Sequence, residues 1–318
     1  MNGLSIVTVC MNRHEHLLHS LPLTARWPHH HEHLVVDWSS DPPLRRIDLP
    51  ADPRLRLLRV EGENQWSAAL AYNFAASQAR GAWLLRLDAD GWIRPQSPDL
   101  PLLPEGSFGH LTDHRGLNGV LLVRRADFEQ AGGFHERIQG YGMDDKDLVE
   151  RLGRRHTPVA LPAALFDCLQ HDDGLRLADG PDRSPGADLR WSKACLYGAR
   201  QRNLLITERL PWNAAAAHSR YLEQNGVWRL QPGSREDLPP ALAADAATTF
   251  RGTALSKYTR LTQIPLQSRL APELEQVLID DPRLLAWWQR LAGPLIDLAI
   301  TGLVLTARLG RWQRRRRP

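Results

Sequence analysis

The sequence predicts an α/β protein with a mostly parallel central sheet flanked by helices. Three observations support this prediction: short apolar segments of strand length, intervening segments with helical spacing of apolar residues, and polar residues where the apolar segments end. Ligands of parallel sheets bind beyond the carboxyl ends of the strands, so these polar ends indicate where a site would lie. With 318 residues and 42% hydrophobic content, the chain can supply a sizeable core.

Strands and helices alternate in the first part of the chain. Strands are predicted at Leu4–Cys10, 34–37, 55–60 and 83–87, and helices at 14–21 and 66–79. Gly81 follows the second helix, at a place where glycine commonly ends a helix. Alternation of this kind is typical of a parallel sheet.

The rest of the chain is less regular. A proline-rich loop is predicted over 95–104, then a strand at 119–123, helices at 125–130 and 148–152, and a strand over 158–168. Beyond about residue 200, alanine- and leucine-rich segments are interrupted by prolines. This pattern predicts a helical extension over 201–318 that ends in a basic tail.

The strand at 83–87 ends in Asp88-Ala89-Asp90-Gly91. Two carboxylates one residue apart offer hard oxygen ligands to a divalent cation, which completes its shell with water and substrate phosphates. Asp-x-Asp-Gly also occurs in ordinary turns, so the motif alone does not decide between the two. Polar residues at 8–13 and 37–41 follow other predicted strands and are expected at the same edge of the sheet, which favours a site.

A second acidic motif is Gly140-Tyr141-Gly142-Met143-Asp144-Asp145. Its glycines allow a sharp turn, and its acids precede the predicted helix at 148–152. Acids at a helix start also suit the helix dipole, so a simple capping role is the alternative interpretation.

Composition and charge exclude some classes of protein. The formal net charge of +4 is concentrated in the terminal arginines rather than spread over a face, which argues against nucleic-acid binding. Three cysteines form no redox or metal pair and no secretory leader is visible, so a cytoplasmic location is expected. The histidines of 29–33 lie in a loop before a strand and are not expected to form a physiological metal site.

The C-terminal segment, residues 284–318, has two interpretations. Its tryptophans and arginines suit a helix at a membrane surface, giving peripheral contact with the inner face of the membrane. Asp297 and Pro294 interrupt its apolar run, which is short for a span of roughly 20 residues. The other interpretation is packing on the catalytic domain or on a partner.

The ordered motifs resemble those of the GT-A glycosyltransferases, and within them family 2 and the C-terminal catalytic domain of the β-1,4-galactosyltransferases. The residues that carry this resemblance are Thr8, Asn12, Arg13, 37–41, Asn73, 88–90, 132–134 and 140–147. The resemblance covers about residues 3–200 and implies a GT-A catalytic domain over 1–200. Its nucleotide-sugar half would span about 1–95 and its acceptor half about 96–200.

The resemblance implies a role for each matching residue. Nucleotide-sugar binding falls to Thr8, Asn12, Arg13, Asp37, Asn73 and Asp88, and metal binding to Asp88, Asp90 and His171. Asp145 matches the general base of inverting members, and Asp144, Tyr141 and Gly142 match acceptor contacts. The chain departs from the family pattern at Tyr72, where arginine is common, and at Met143, where a small residue is usual.

The function implied is metal-dependent, inverting transfer of a hexose or N-acetylhexosamine from a UDP-sugar to a glycan or glycolipid, with Mn²⁺ or Mg²⁺. Such a cation stabilises the leaving diphosphate, and a carboxylate takes the proton of the acceptor hydroxyl. Two alternatives are a sugar-phosphate nucleotidyltransferase and an inactive carbohydrate-binding protein. A nucleotidyltransferase would need a glycine-rich loop after the first strand, and residues 11–14 contain no glycine. An inactive carbohydrate-binding protein would tolerate loss of the base.

Overall fold

A computed structural model describes residues 3–111, 116–170, 177, 179–182 and 189–262. The strands are β1 (Leu4–Cys10), β2 (Glu32–Trp38), β3 (Leu55–Glu61), β4 (Trp83–Arg86), β5 (Gly91–Ile93), β6 (Ser107–His110), β7 (Leu121–Arg124), β8 (Thr157–Ala160), β9 (Phe166–Cys168), β10 (Tyr221–Gln224) and β11 (Val227–Leu230). The helices are α1 (His14–Ala25), α2 (Ala68–Gln78), α3 (Arg125–Gln130), α4 (Asp144–Gly153), α5 (Leu189–Arg209) and α6 (Pro240–Thr262).

Nine of the described strands form one sheet in the order β10-β11-β3-β2-β1-β4-β7-β6-β8. Its centre, from β11 to β4, is parallel, and β7 then pairs antiparallel with both β4 and β6. All seven residues of β1 and of β2 are buried, as expected for strands covered by helices on both faces. The predicted α/β fold with a mostly parallel sheet is confirmed.

Helix α2 covers one face of the central strands. Ser67 caps it by accepting a hydrogen bond from the Leu70 backbone amide at 3.3 Å. Its buried alanines pack with Val7, Val9 and Val36 in one apolar cluster, while α1 packs on the other face against Cys10 and Val35. The two faces of β1 are thus filled by alternate residues, as strand geometry requires.

The segment predicted as one strand over 158–168 is two strands joined through the 3₁₀ turn Ala163–Leu165. The second of them, β9, pairs with β5 in a small separate sheet, with Gly91 opposite Cys168. The Leu169 amide also donates to the Asp90 carbonyl at 2.9 Å. The turn that carries Asp88 and Asp90 is therefore held in place by β9 at the end that leads into β5.

The segment after residue 200 is not purely helical. The hairpin β10–β11 extends the main sheet, with β11 parallel to β3. The Tyr221 hydroxyl and the Arg235 guanidinium both donate to Glu63, which ties the hairpin to the loop after β3. Helix α5 runs across residue 200, so the predicted domain division falls inside a helix.

Within the described ranges, no helix is both long and apolar enough to cross a membrane. The predicted membrane-contact segment at 284–318 lies outside the described residues.

Candidate active site

A cavity of about 540 Å³ opens at the carboxyl ends of β1 and β4. Five of the predicted site residues line it: Arg13, Asp88, Asp90, Tyr141 and Asp145. They come from the end of β1, the end of β4 and the start of α4. The topology therefore brings together motifs that are more than a hundred residues apart.

Asp88 is held by two neighbours before any ligand binds. Its Oδ1 accepts from the Tyr72 hydroxyl at 2.8 Å and from Arg86 Nη2 at 3.1 Å. Its side chain is 39% exposed, so part of the carboxylate faces the cavity. Gly119 closes the other side, where an added Cβ would lie 2.7 Å from Asp88 Oδ2.

Arg86 links the two acidic motifs. Its side chain is 8% exposed, and it forms ion pairs with Asp88, with Asp145 and, at 4.0 Å, with Asp144. Its guanidinium also lies 4.3 Å from the centroid of the Tyr72 ring. Burial lowers the pKa of Arg86, but the carboxylates around it outweigh burial and the pKa is raised. Arg86 is therefore a fixed positive charge.

The acid pair lies in the first turn of α4, which begins four residues earlier than predicted. Met143 precedes it at φ 72°, a left-handed conformation that turns the chain sharply into the helix. The Asp145 side chain lines the cavity and is 37% exposed, whereas Asp144 is 13% exposed. Burial raises the pKa of Asp144, while Arg86 acts in the opposite direction.

The loop that carries Tyr141 and Gly142 is fastened by Asn203 of α5. Asn203 is fully buried, and its Nδ2 donates to the carbonyls of Gln139 at 2.9 Å and Gly142 at 2.8 Å. Its Oδ1 accepts from the Gln139 amide at 3.1 Å. Sequence reasoning missed this residue, since an asparagine inside a distant helix carries no recognisable signal.

The loop after β1 is fastened by Asp179, which was also missed. Asp179 Oδ1 accepts from Asn12 Nδ2 at 2.9 Å, and its Oδ2 lies 3.8 Å from Arg13. Its carbonyl accepts from the Trp66 amide at 2.6 Å. Asp179 thus joins the predicted nucleotide loop to the rim of the cavity.

The structure does not bring Thr8, Asp37 and Asn73 to the cavity. Thr8 lies within β1 on the face opposite Val9, and its Oγ1 is 3.0 Å from His33 Nε2. Asp37 is fully buried and accepts from the amides of Ser40 at 3.0 Å and Leu44 at 2.9 Å and from Arg59 Nη1 at 2.7 Å.

The Asn73 side chain binds the backbone of Phe134 instead of facing the cavity. Its side chain accepts from the Phe134 amide at 2.7 Å and donates to the Phe134 carbonyl at 2.9 Å. Gly133 lies against it at φ 59°, and an added Cβ there would be 2.4 Å from Asn73 Oδ1. Asn73 therefore positions the loop between α3 and α4.

The donor set at Asp88 and Asp90 fits a hard divalent cation. Both side chains supply carboxylate oxygens, line the cavity and leave room for water and phosphate oxygens in the remaining positions. No group of three metal-binding side chains occurs among the described residues. The third predicted ligand, His171, lies outside the described residues.

The histidine cluster at 29–33 is structural where it is buried. His30 stacks on Trp27 with ring centroids 5.9 Å apart, and His33 lies inside β2. Burial lowers the pKa of His30 to about 4 and that of His33 to about 3. Both rings are therefore neutral at pH 7.

Comparison with known proteins matches one segment to a family model. Residues 110–169 match the family described as the N-terminal domain of galactosyltransferase. This segment contains strands β7 and β8 of the main sheet and strand β9 of the small sheet, together with Gly133, Asp144 and Asp145. No curated protein matches the chain.

Many solved structures show distant similarity, and three of them illustrate it. The catalytic domain of Drosophila β1,4-galactosyltransferase 7 with xylobiose is 15% identical, over 72% of this chain and 92% of that one, with a TM-score of 0.45. The mannosyltransferase PcManGT from Pyrobaculum calidifontis with GDP-Man and Mn²⁺ is 14% identical, over 94% and 86%, with a TM-score of 0.43. S. aureus TarS 1–349 is 12% identical, over 91% of each chain, with a TM-score of 0.39.

These overall similarities are too distant to transfer a donor or an acceptor to this chain. The segment 110–169, which matches the family model, contributes strands to a mostly parallel sheet. Carboxylates lie at the strand ends of this sheet. Together, the matched segment and the observed sheet support a GT-A glycosyltransferase fold.

Proposed function

We propose that this chain is a metal-dependent, inverting glycosyltransferase that moves a hexose or N-acetylhexosamine from a UDP-sugar to a glycan or glycolipid acceptor. One observation supports the proposal above all others. A single cavity contains the paired carboxylates Asp88 and Asp90 at a strand end and the carboxylate Asp145 at a helix start.

The donor half of the cavity suits a nucleoside diphosphate. Asp88 and Asp90 would hold Mn²⁺ or Mg²⁺, and the bound cation would stabilise the negative charge of the leaving diphosphate. Arg13 also lines this side, where its guanidinium can bind phosphate oxygens. Asp179, which also lines the cavity, accepts from Asn12 and lies 3.8 Å from Arg13, so it would position this loop beside the donor.

The acceptor half suits a sugar hydroxyl. Asp145 is exposed to the cavity and takes the proton of the attacking hydroxyl in this proposal. An ordinary aspartate is a weak base, so much of the rate must come from holding the hydroxyl close to the anomeric carbon. Tyr141, Gly142 and Asp144 would position the acceptor sugar.

The roles of Thr8, Asp37 and Asn73 are revised in this proposal. Their polar atoms are engaged within the protein, so each supports a loop beside the donor rather than the donor itself. A cytoplasmic location and membrane contact through 284–318 stay predictions.

Asp145→Asn is the first test. The variant should lose transfer by at least about a hundredfold because the amide cannot accept the proton, while UDP binding with Mn²⁺ stays close to that of the wild type. Glu150→Gln is the matched control, since Glu150 is an exposed acid on the same helix. Transfer is measured with a panel of nucleotide sugars, and UDP binding by titration calorimetry.

Loss of UDP binding in Asp145→Asn would contradict the assigned role. Failure of the wild type to bind or hydrolyse any nucleotide sugar with Mn²⁺ would overturn the proposed function. Release of pyrophosphate from a nucleoside triphosphate and a sugar phosphate would instead identify a nucleotidyltransferase. Binding of glycans without donor turnover would identify an inactive carbohydrate-binding protein.

A further inference from the structure

Cationic and aromatic side chains form a continuous surface at the outer edge of the cavity. We call this surface the basic aromatic ridge, and it consists of Tyr141, Lys193, Tyr197, Arg200 and Lys257. Lys193, Tyr197 and Arg200 are spaced four and three residues apart on α5, so they share one face of the helix. Lys257 comes from the neighbouring helix α6.

Four members of the ridge contact one another in the order Tyr141, Arg200, Tyr197, Lys257. Arg200 Cζ lies 5.2 Å from the centroid of the Tyr141 ring and 5.9 Å from that of Tyr197. Lys257 Nζ lies 4.0 Å from the centroid of the Tyr197 ring. Arg200 and Lys257 thus rest on aromatic rings, which hold these two side chains in place without neutralising their charge, and Lys193 is exposed on the same face of α5.

The ridge carries uncompensated positive charge. Among the described residues, no carboxylate forms an ion pair with Lys193, Arg200 or Lys257. Arg202 on the same helix differs, because it is buried and pairs with Asp182 at 2.6 Å. The cations of the ridge are therefore free to attract an anionic ligand, whereas Arg202 is part of the core.

The ridge is continuous with the cavity. Tyr141 and Arg200 line the cavity together with Asp145, while Tyr197 is 43% exposed on the outer surface. Arg200 Nη2 donates to the Tyr141 hydroxyl at 3.2 Å. The stem of Arg200 packs on the acceptor loop, where a Cβ added to Gly142 would lie 2.8 Å from Arg200 Cγ.

We propose that the ridge is an acceptor subsite for an anionic saccharide, one that carries phosphate or carboxylate groups. Sugar rings would pack against Tyr197, which is 43% exposed, and the anionic groups would pair with Arg200, Lys193 and Lys257. This inference rests on the proposed function, since it names the class of acceptor that the same cavity takes. A chain several sugars long would extend from Asp145 outward along α5.

The test compares three oligosaccharides of equal length: a neutral one, a polyuronate and a phosphorylated one. Binding to the full chain is measured by calorimetry, and the anionic saccharides should bind at least about tenfold more tightly than the neutral one at low salt. Raising the salt should reduce this preference, because exposed charges are screened over about 10 Å at 0.1 M. A preference for only one of the two anionic saccharides identifies which charged group the acceptor carries.

The variant Lys193→Gln/Arg200→Gln/Lys257→Gln should lose the preference for anionic saccharides. Arg209→Gln is the control, since Arg209 lies on the same helix but outside the ridge and pairs with Asp245. Tyr197→Ser should weaken binding of all three saccharides, and thermal unfolding confirms that each variant is folded. Retention of the preference in the triple variant would overturn the inference.

The remaining outcomes separate this inference from the proposed function. A wild type that hydrolyses a UDP-sugar but binds neutral and anionic saccharides equally would overturn the subsite alone. Ridge-dependent binding of the anionic saccharides without donor binding would overturn the proposed function and support the subsite. Binding to phosphatidylglycerol vesicles through the ridge, with no saccharide binding, would overturn the subsite in favour of a lipid surface.

Discussion

Tyr72 and Arg86 determine how the Asp88 carboxylate is presented to the cavity. Tyr72 is one of the positions at which the chain departs from the family pattern, and its hydroxyl donates to Asp88 Oδ1. Arg86 binds the same oxygen and also reaches Asp145. A positive charge between two acidic motifs reduces their mutual repulsion and keeps three carboxylates close together. The arginine inside the apolar run 83–87 was the visible sign of this arrangement, and sequence reasoning passed over it.

Tyr72→Phe tests whether the orientation of Asp88 matters. The ring and its contact with Arg86 should stay, while loss of the hydroxyl should weaken Mn²⁺ binding in the presence of UDP by about tenfold, as removal of an outer hydrogen bond commonly does. Manganese titration by electron paramagnetic resonance measures the effect. Tyr221→Phe is the comparison, because the Tyr221 hydroxyl donates to Glu63 rather than to a candidate metal ligand. Equal Mn²⁺ affinity in Tyr72→Phe and the wild type would show that Asp88 needs no such support.

At the residue scale, the sequence motifs predicted where the site lies more accurately than they predicted which side chains face the cavity. Asp88, Asp90 and Asp145 line the cavity as expected from their places after a strand and before a helix. Asp37 also lies at a strand end, yet its carboxylate accepts hydrogen bonds from two backbone amides and from Arg59. Whether a polar side chain faces a ligand or its own backbone depends on loop geometry, which spacing in the sequence does not reveal.

At the scale of elements, long buried strands were predictable and short edge strands were not. Strands β1 and β2 are buried on both faces, so each is rich in β-branched and other apolar residues. Strands β5 and β10 have three and four residues, and each becomes a strand only through a partner elsewhere in the chain. The interruption between β8 and β9 was missed for the same reason, because β9 pairs with β5 rather than with the main sheet.

Strand β2 carries a titratable group in the core, His33, which should make stability depend on pH. Burial lowers the folded-state pKa of His33 to about 3, whereas an unfolded histidine has a pKa near 6.5. Unfolding therefore takes up a proton below about pH 6.5, and stability falls as the pH falls toward the folded pKa. At pH 5 the loss from this one group is about 2 kcal/mol relative to pH 7.

His33→Gln isolates this contribution. Its free energy of unfolding should fall by about 2 kcal/mol less than that of the wild type between pH 7 and pH 5, because glutamine does not titrate. Urea unfolding at the two pH values measures the difference, and any fixed cost of the substitution cancels. His29→Gln serves as the control, since His29 is exposed. An identical pH dependence in His33→Gln and the wild type would contradict a neutral buried ring.

At the scale of the whole molecule, the chain after residue 189 helps to build the site instead of being an appendage to it. In helix α5, Asn203 donates to the Gly142 carbonyl and Arg202 to the Gln139 carbonyl of the acceptor loop, and the hairpin β10–β11 extends the sheet. The sequence could not show this because the contacts join residues about 60 positions apart through backbone carbonyls. The acceptor half is therefore expected to be sensitive to substitutions in α5.

Asn203→Ala tests this dependence. The carbonyls of Tyr141 and Gly142 would lose their Asn203 donor, while the Gln139 carbonyl would keep its hydrogen bond from Arg202. Loss of these partly buried hydrogen bonds should cost about 2 kcal/mol of unfolding free energy. The donor half is built on β1, β4 and α2, so hydrolysis of the UDP-sugar should persist at temperatures where the variant is folded. Transfer to an acceptor should fall by at least about tenfold more than hydrolysis, since a loosened loop no longer holds the acceptor hydroxyl near Asp145.

Thr207→Ala is the matched control, because Thr207 lies one turn further along α5 and its hydroxyl bonds within its own helix, to the Leu204 carbonyl. Equal losses of hydrolysis and transfer in Asn203→Ala would mean that α5 supports the fold as a whole and not the acceptor half in particular.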